Sequence, residues 1–330
     1  MNKPFKTVAI IGVPGSGKTS LLSALTRALA ARGKAEFQSV EALTKEANED
    51  PRHLTFALVE SPAGRLEFID AGGGGGTAAE LEALSQADVA LVVHRAPWED
   101  LGGLTGRLQA ARQLQVPWTC AFLLDPDQRA PDTVEGADAT VHATAVGDEV
   151  AFESLFAALA AGARPTLDVE GPFLLRISSV TSQRGVSVLT GLCARGRIHV
   201  GTEVELPGRG TFLVSGVTCY GKMMDKGHAG QELGLVLRGL KLQGDEAGGV
   251  VLAPGSEPLR AEATLELLGA SHPPLPTPAW LCTRSGSVAL QRVEQEGARV
   301  KAAWASPTPL AAGTDCVLHD GTRLWPARAE

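Results

Sequence analysis

The first 165 residues alternate between two hydrophobic patterns. Short, continuous apolar runs predict buried strands, and apolar residues that recur every three or four positions predict helices packed on them. Strands are predicted at residues 8–11, 54–59, 65–69, 88–94, 118–124 and 140–145, and helices at 20–32, 77–86, 101–115 and 149–161. Strands and helices in this order are typical of a doubly wound parallel sheet.

The pattern changes after residues 162–165. Helical periodicity is absent from there on, and short apolar runs recur between Gly, Pro and Asp turns, which is typical of β-barrels. A second break falls at residues 254–258, which read PGSEP. We therefore predict an α/β domain at 1–165, a β-barrel at 166–256 and a shortened β-barrel at 257–330.

A phosphate-binding sequence joins the first predicted strand to the first helix. Residues 12–19 read GVPGSGKT and fit the pattern GxxxxGK[ST] in the strand–turn–helix context that it requires. Small residues let backbone N–H groups wrap an anion, and the positive end of the helix dipole attracts it. The Lys18 ammonium would reach the β- and γ-phosphates, and the Thr19 hydroxyl would bind Mg²⁺. The nucleotide-binding residues predicted in this loop are Pro14, Gly15, Ser16, Gly17, Lys18, Thr19 and Ser20.

Two further residues are candidates for the metal site. Asp70 ends a predicted strand and begins the sequence DAGG, which suits a carboxylate that holds Mg²⁺ through water and an N–H of Gly73 that meets the γ-phosphate. Thr55 is a candidate switch threonine that closes over Mg²⁺. Ordinary structural roles stay open for both, a strand-end turn at Asp70 and a β-branched strand start at Thr55.

Composition limits the functional classes. The chain is 44% apolar and 20% charged, as in ordinary globular proteins. Because no apolar run approaches the roughly 18 residues of a membrane span, no membrane association is predicted. The five cysteines are scattered without a CxxC pair, which argues against a disulfide framework or a zinc site and favours a reduced cytoplasm.

The formal charge of −7 is concentrated in the first half of the chain. Residues 1–165 carry 14 Lys and Arg against 21 Asp and Glu, whereas residues 166–330 carry 16 of each. Neither half is basic, so no DNA partner is expected, and a shape-specific RNA contact stays open.

Several segments resemble elongation factor Tu and the wider translational GTPases. Residues 52–55 (RHLT) resemble the family's RGxT switch segment. Segments that resemble its second domain are 171–177 (GPFLLRI), 190–191 (TG), 195–201 (RGRIHVG), 229–234 (AGQELG) and 237–239 (LRG). The resemblance covers nearly the whole chain and implies a P-loop GTPase-type domain followed by two β-barrel domains. It implies GTP or GDP and Mg²⁺ as ligands, and the ribosome, an RNA or a translation-related protein as partner.

The family's catalytic motif is degenerate in this sequence. The family has DxPGH, whose histidine positions the attacking water, and Gly74 stands at the histidine position. Because phosphoryl transfer depends on positioning and charge stabilisation, no catalytic residue is intact and slow hydrolysis is expected.

The guanine-reading motif is partly retained. The family's NKxD appears as LDPD, in which Asp127 can accept two hydrogen bonds from guanine while Leu124 and Asp125 replace the asparagine and the lysine. Thr144 and Ala145 resemble the SA motif, whose backbone N–H meets the guanine oxygen. Guanine is therefore expected over adenine, with weak binding or lost selectivity as the open alternative.

The family's pocket for the aminoacyl end of transfer RNA is replaced. The positions that carry its acidic and aromatic side chains read Ser178, Ser179, Thr181, Thr218, Gly221 and Glu232. Tyr220 could stack an adenine or be a barrel-rim residue. General delivery of aminoacyl-tRNA is not expected.

Three functional hypotheses remain. The first is a nucleotide-switched binding protein with impaired hydrolysis. The second is a working translational GTPase with altered aminoacyl-tRNA or RNA specificity. The third is a pseudo-GTPase scaffold that mimics elongation factor Tu.

Overall fold

The computed structural model describes residues 5–30, 39, 55–61, 64–70, 76–95, 102–124, 140–144, 149–161, 168–183, 186–219, 222–241, 249–269, 273–320 and 323–330. The chain divides into two compact units. The first contains Met1–Pro165 and Gly321–Leu324, and the second contains Thr166–Asp320 and Trp325–Glu330. The predicted division into three domains at residues 165 and 256 stays a prediction.

Within the residues that the structure describes, the first unit contains a six-stranded sheet and four helices. Its strands are β1 (Phe5–Ile11), β2 (Thr55–Ser61), β3 (Gly64–Asp70), β4 (Val89–Arg95), β5 (Trp118–Leu124) and β6 (Thr140–Thr144). Its helices are α1 (Lys18–Ala30), α2 (Gly76–Gln86), α3 (Gly102–Gln113) and α4 (Glu149–Ala161). The strand order is β2-β3-β1-β4-β5-β6, with β2 antiparallel to β3 and the other neighbours parallel. The predicted doubly wound sheet is confirmed.

The sheet is held by apolar strands that face helices α1 and α4. The core residues that pack together there include Val8, Ile10, Leu21, Leu22, Leu25, Phe68, Leu91, Val93, Phe152, Leu155 and Phe156. All are nearly completely buried, which explains why these strands appear in the sequence as unbroken apolar runs. The carboxyl ends of β1, β3, β4, β5 and β6 lie at one edge of the sheet, where open α/β folds bind ligands.

Helix α3 ends two residues earlier than the sequence predicts. Gln115 adopts a left-handed backbone with φ of 55°, and the N–H of Val116 donates to the Ala111 carbonyl over 2.8 Å. The N–H of Gln115 donates to the Arg112 carbonyl over 3.0 Å. This pair of bonds is a Schellman termination, which usually uses glycine and is therefore difficult to predict at a glutamine.

The second unit begins with a closed six-stranded barrel. The strands of the barrel and of the segments attached to it are β7 (Leu174–Gln183), β8 (Val186–Arg195), β9 (Arg197–His199), β10 (Glu203–Leu206), β11 (Gly210–Cys219), β12 (Lys222–Met224), β13 (Lys226–His228), β14 (Glu232–Leu237) and β15 (Val250–Leu252). The barrel order is β10-β15-β7-β8-β14-β11, closed by pairing of β10 with β11. Strand β12 pairs antiparallel with the end of β11 outside the ring, while β9 and β13 form a separate antiparallel pair.

A second closed barrel follows. It contains β16 (Leu259–Leu267), β17 (Trp280–Thr283), β18 (Gly286–Glu296), β19 (Arg299–Pro309), β20 (Asp315–His319) and β21 (Leu324–Ala329), in the order β16-β19-β18-β17-β20-β21. Closure leaves neither barrel with a free edge strand in the closed ring. The predicted α/β domain followed by two β-barrels is confirmed. In the described part of the chain, no helix has both the length and the apolar character that crossing a membrane would need.

Candidate nucleotide site

The loop between β1 and α1 has the backbone shape that its glycines predict. Gly15 has φ of 80° and Gly17 has φ of 92°, both in the left-handed region that side chains other than glycine rarely adopt. The N–H of Ser16 donates to the Val13 carbonyl over 3.1 Å and closes the turn. At the start of the loop, a Cβ at Gly12 would lie 2.4 Å from the Val93 carbonyl oxygen of β4. The loop is therefore compact and lies directly against the sheet.

The loop is followed by helix α1, whose N-terminus is suited to binding an anion. Helix α1 begins with Lys18, Thr19 and Ser20, so its first turn adds positive charge to the positive end of the helix dipole. The Ser16 Oγ atom is buried and has no hydrogen-bond partner in the described part of the chain. All the residues named in this paragraph belong to the predicted phosphate-binding set, together with Pro14, Gly15 and Gly17.

The two best-placed metal-site candidates meet. The Thr19 hydroxyl donates a hydrogen bond of 3.0 Å to Asp70 Oδ2. Asp70 is 1% exposed and pairs with Ile10 across the parallel strands β3 and β1, which places it beside the loop that follows β1. A hydroxyl and a carboxylate oxygen are hard ligands suited to Mg²⁺, which usually completes its shell with phosphate and water oxygens. The residues present therefore fit a Mg²⁺ ion.

This arrangement differs from an all-protein metal cage. Among the described residues, no group of three or more His, Cys, Asp and Glu side chains is placed to hold a metal ion. For Thr55 the structure describes the backbone only, and it pairs directly with Asp70 between β2 and β3. Thr55 is thus a neighbour of Asp70 along the sheet, and its metal-binding role stays a prediction.

The Lys18 ammonium lies over its own loop. Its Nζ atom donates to the Gly12 carbonyl over 2.6 Å and to the Val13 carbonyl over 3.4 Å. It also lies 3.3 Å from Glu80 Oε1 of helix α2. Lys18 is therefore buried in the loop and paired with a carboxylate.

Glu80 has two further partners. Its Oε1 atom accepts the Gly12 N–H over 3.2 Å, and its Oε2 atom pairs with Arg107 Nε of helix α3. The Lys18 and Glu80 side chains are 6% and 4% exposed, so this is a buried network of two cations and one carboxylate. The sequence analysis did not identify Glu80 or Arg107. The sequence offers one indication, because the helical spacing places Glu80 on the same face as Leu84, and the structure shows that both are buried.

The base-reading candidates follow neighbouring strands. Leu124 and Thr144 are paired at the carboxyl ends of β5 and β6, the edge at which β1 delivers the phosphate loop. For Thr144 only the backbone is described. Asp127 and Ala145 lie outside the described residues, as do Gly73 and Gly74. Their roles stay predictions.

Comparisons with known proteins agree with this geometry. Residues 7–117 match the model of a family described as 50S ribosome-binding GTPase. The matched region contains the phosphate loop, Thr19 and Asp70.

The fold resembles solved translation elongation factors. A bacterial selenocysteine-specific elongation factor is 16% identical with a TM-score of 0.73, and the comparison covers 100% of this chain and 58% of that one. Elongation factor SelB from Methanococcus maripaludis, in complex with the GTP analogue GppNHp, is 14% identical with a TM-score of 0.72. Its apo form is 13% identical with the same TM-score, and each comparison covers 100% of this chain and 79% of the SelB chain. This chain thus spans little more than half the length of the first of these proteins.

The chain therefore has a domain with the P-loop GTPase fold, followed by two β-barrels. The chain has the fold of an elongation factor Tu-like translational GTPase, as the sequence resemblance implied.

Proposed function

We propose that this protein is a nucleotide-switched binding module of the elongation factor Tu type, which holds GTP or GDP with Mg²⁺ and hydrolyses GTP slowly. The observation that carries the proposal is the 3.0 Å contact between Thr19 and Asp70 beside the phosphate loop. It brings together two oxygen ligands that lie far apart in sequence, at the point where the phosphates of a nucleotide would end.

Different groups of the chain would bind the phosphates, the Mg²⁺ ion and the guanine base. The N–H groups of the loop and the start of α1 would hold the phosphates, and Thr19 with Asp70 would hold Mg²⁺, with Thr55 as the third candidate. Bound Mg²⁺ would neutralise charge on the β- and γ-phosphate oxygens. Asp127, Thr144 and Ala145 would read the guanine, and the GTP analogue bound by the Methanococcus maripaludis relative supports guanine over adenine.

Slow hydrolysis follows from Gly74. A hydrogen side chain cannot orient an attacking water, and this positioning is a large part of phosphoryl-transfer catalysis. Gly73 would still offer its N–H to the γ-phosphate, so binding and switching would survive the loss of catalysis.

The partner that we propose belongs to translation: the ribosome, an RNA or a translation-related protein. The description of the matched family and the elongation-factor relatives support this class. General aminoacyl-tRNA delivery is not proposed, since Thr218, at the family's stacking glutamate, donates its hydroxyl to the Gly234 carbonyl over 3.4 Å. A Cβ at Gly234 would lie 2.3 Å from that hydroxyl oxygen, so the neighbouring strands are closely packed at this position.

A titration of the full chain with a fluorescent GDP in the presence of Mg²⁺ tests the proposal. Saturable binding that GTP competes for and ATP does not is expected, and Lys18→Ala should weaken it. No saturable binding to the wild type would refute the proposal. Single-turnover phosphate release with and without ribosomes then separates slow from working hydrolysis, because ribosome-stimulated turnover would favour the altered-specificity GTPase.

A pseudo-GTPase scaffold is the second candidate, because Lys18 already has a carboxylate partner in Glu80. Cosedimentation with ribosomal subunits distinguishes the two candidates. Retention that increases with a GTP analogue and is lost in Lys18→Ala supports the switch. Retention that is indifferent to nucleotide and to the substitution supports the scaffold.

A further inference from the structure

We propose that Glu80 is a displaceable internal ligand of Lys18, which holds the P-loop ammonium until a nucleotide phosphate replaces it and thereby couples nucleotide binding to helix α2. The inference rests on the proposed nucleotide binding. It concerns how the site is regulated by a contact between the loop and α2.

The contact places a carboxylate where it competes with a phosphate. Glu80 Oε1 lies 3.3 Å from Lys18 Nζ and accepts the Gly12 N–H over 3.2 Å. It thus binds both the ammonium and an amide of the phosphate loop. Both groups are donors only, so an anion is the partner they suit.

The proton count of Lys18 makes this competition specific. An ammonium has three donor hydrogens, and three oxygens surround Lys18 Nζ: it donates hydrogen bonds to the Gly12 and Val13 carbonyls and forms an ion pair with Glu80 Oε1 at 3.3 Å. A contact with a β- or γ-phosphate therefore has to replace one of them. The two carbonyls are part of the loop backbone, whereas Glu80 is a side chain on another element and carries the charge that repels a phosphate. Glu80 is the acceptor that leaves.

Arg107 makes the release feasible. A buried carboxylate without a partner is strongly disfavoured, but Glu80 Oε2 is already paired with Arg107 of helix α3. When Lys18 turns to the nucleotide, Arg107 keeps the carboxylate neutralised. Of its two cationic partners, Glu80 therefore loses Lys18 and keeps Arg107.

The release is felt by α2 because Glu80 lies in its buried first half. Thr77, Glu80 and Leu81 are all nearly buried, so the side chain cannot leave Lys18 without adjustment of the helix that carries it. Nucleotide binding would then loosen the contact between α2 and the phosphate loop, so that it changes the position or stability of α2.

Glu80→Gln tests the competition because it removes the charge and keeps the shape. Fluorescent GDP titrations with Mg²⁺ should show a Kd lower by roughly tenfold than that of the wild type, a typical coupling between two sites. Glu82→Gln is the matched control on the same helix, since it makes the same change of charge at a glutamate whose side chain accepts a hydrogen bond from Gln86 of α2. The control should leave the Kd unchanged.

Arg107→Gln should act in the opposite direction. It leaves Glu80 with Lys18 as its remaining cation, so the contact with the loop tightens and the Kd for GDP rises. In the double variant Glu80→Gln/Arg107→Gln this rise should disappear, which a merely structural role of Arg107 would not produce.

Hydrogen exchange of the wild type keeps the proposal testable if a variant fails to fold. The amides of α2 should exchange faster when GDP and Mg²⁺ are bound, and Glu80→Gln without nucleotide should resemble the nucleotide-bound wild type. An unchanged or raised Kd in Glu80→Gln, or slower exchange of α2 on binding, would overturn the proposal. If neither protein binds GDP, the proposed function fails instead; if both bind equally, only the role of Glu80 fails.

Discussion

Thr19 and Asp70 are joined by a 3.0 Å hydrogen bond although 51 residues separate them in the chain. The first opens helix α1 and the second ends strand β3, and the parallel pairing of β1 with β3 brings the two elements to one edge of the sheet. The hydroxyl donates and the carboxylate accepts, so both oxygens face the same point. This bond is the geometric basis for the metal site that the sequence predicted.

Asp70→Asn should weaken Mg²⁺ binding and leave the phosphate loop intact. An amide oxygen carries no charge, so we expect the Mg²⁺ concentration for half-maximal tight GDP binding to rise roughly 10- to 100-fold. Nucleotide titrations over a Mg²⁺ series measure this effect. Asp315→Asn, which removes a carboxylate paired with Arg328 in the last barrel, is the control and should behave as the wild type. An unshifted Mg²⁺ requirement in Asp70→Asn would contradict the assignment.

Lys6→Met should destabilise helix α4. The buried Lys6 ammonium donates to the Leu159 carbonyl over 3.2 Å and to the Ala160 carbonyl over 2.5 Å, at the negative end of the helix dipole. Loss of charged hydrogen bonds of this kind costs about 2 kcal/mol, so the opening free energy of α4 measured by hydrogen exchange should fall by that amount. The exposed Lys301→Met should leave it unchanged, and equal protection of α4 in Lys6→Met would show that the two bonds do not stabilise the helix.

His319 should make the last barrel sensitive to acid. Burial lowers the pKa of His319 from 6.5 to about 4, with the Asp320 charge opposing the change. Because the unfolded imidazole takes up a proton between these values and the folded one does not, the free energy of unfolding falls as pH drops from about 6.5 to about 4. The loss amounts to roughly 3 kcal/mol.

Denaturant titrations at about pH 7 and about pH 4.5, followed through exchange of the β20 amides, measure the effect. His319→Phe should remove this dependence, since a phenyl ring can keep the stacked contact with Trp280, whose centroid lies 5.4 Å away. His199→Phe, at an exposed position, should retain the wild-type dependence. A pH response that survives in His319→Phe would assign it to other groups.

Alkylation should distinguish Cys219 from the other cysteines. All five cysteines are present as thiols, and burial raises the pKa of Cys120, Cys193 and Cys316 to about 12. Since the thiolate is the reactive species, these three should resist iodoacetamide at about pH 8. Cys219 is half-buried and should be modified first, as peptide mass spectrometry would show. In denaturant all five should react, and rapid labelling of Cys193 in the native protein would contradict the prediction.

The fold was largely predictable because its strands are buried on both sides. Continuous apolar runs such as 88–94 and 118–124 mark strands β4 and β5 within a residue at each end. Helix and strand ends that depend on local backbone geometry were harder to predict from the sequence. The end of α3 is set by the left-handed backbone of Gln115, and the residue type gives little indication of that conformation.

The residues of the candidate site that belong to a local sequence motif could be predicted. Those that reach the site through tertiary packing could not. Lys18, Thr19 and Asp70 could be placed because the spacing of the motif and the strand end locate them. Glu80 and Arg107 are 27 residues apart on different helices, so their pairing depends on the strand order β3-β1-β4 and on helix packing that no local pattern encodes. A buried glutamate on an apolar helical face indicates that a cation must be near, but it does not identify which one.

The tight approach of Gly12 to strand β4 changes how the loop sequence should be interpreted in related chains. A methyl group at this position would overlap the Val93 carbonyl, so replacing this glycine requires the loop or β4 to shift, whether or not the chain still binds a nucleotide. Its survival during divergence is therefore uninformative about activity. No such steric limit applies to the side chains of Lys18 and Thr19. Substitution at either position would therefore be the earlier indication that a related chain has lost nucleotide binding.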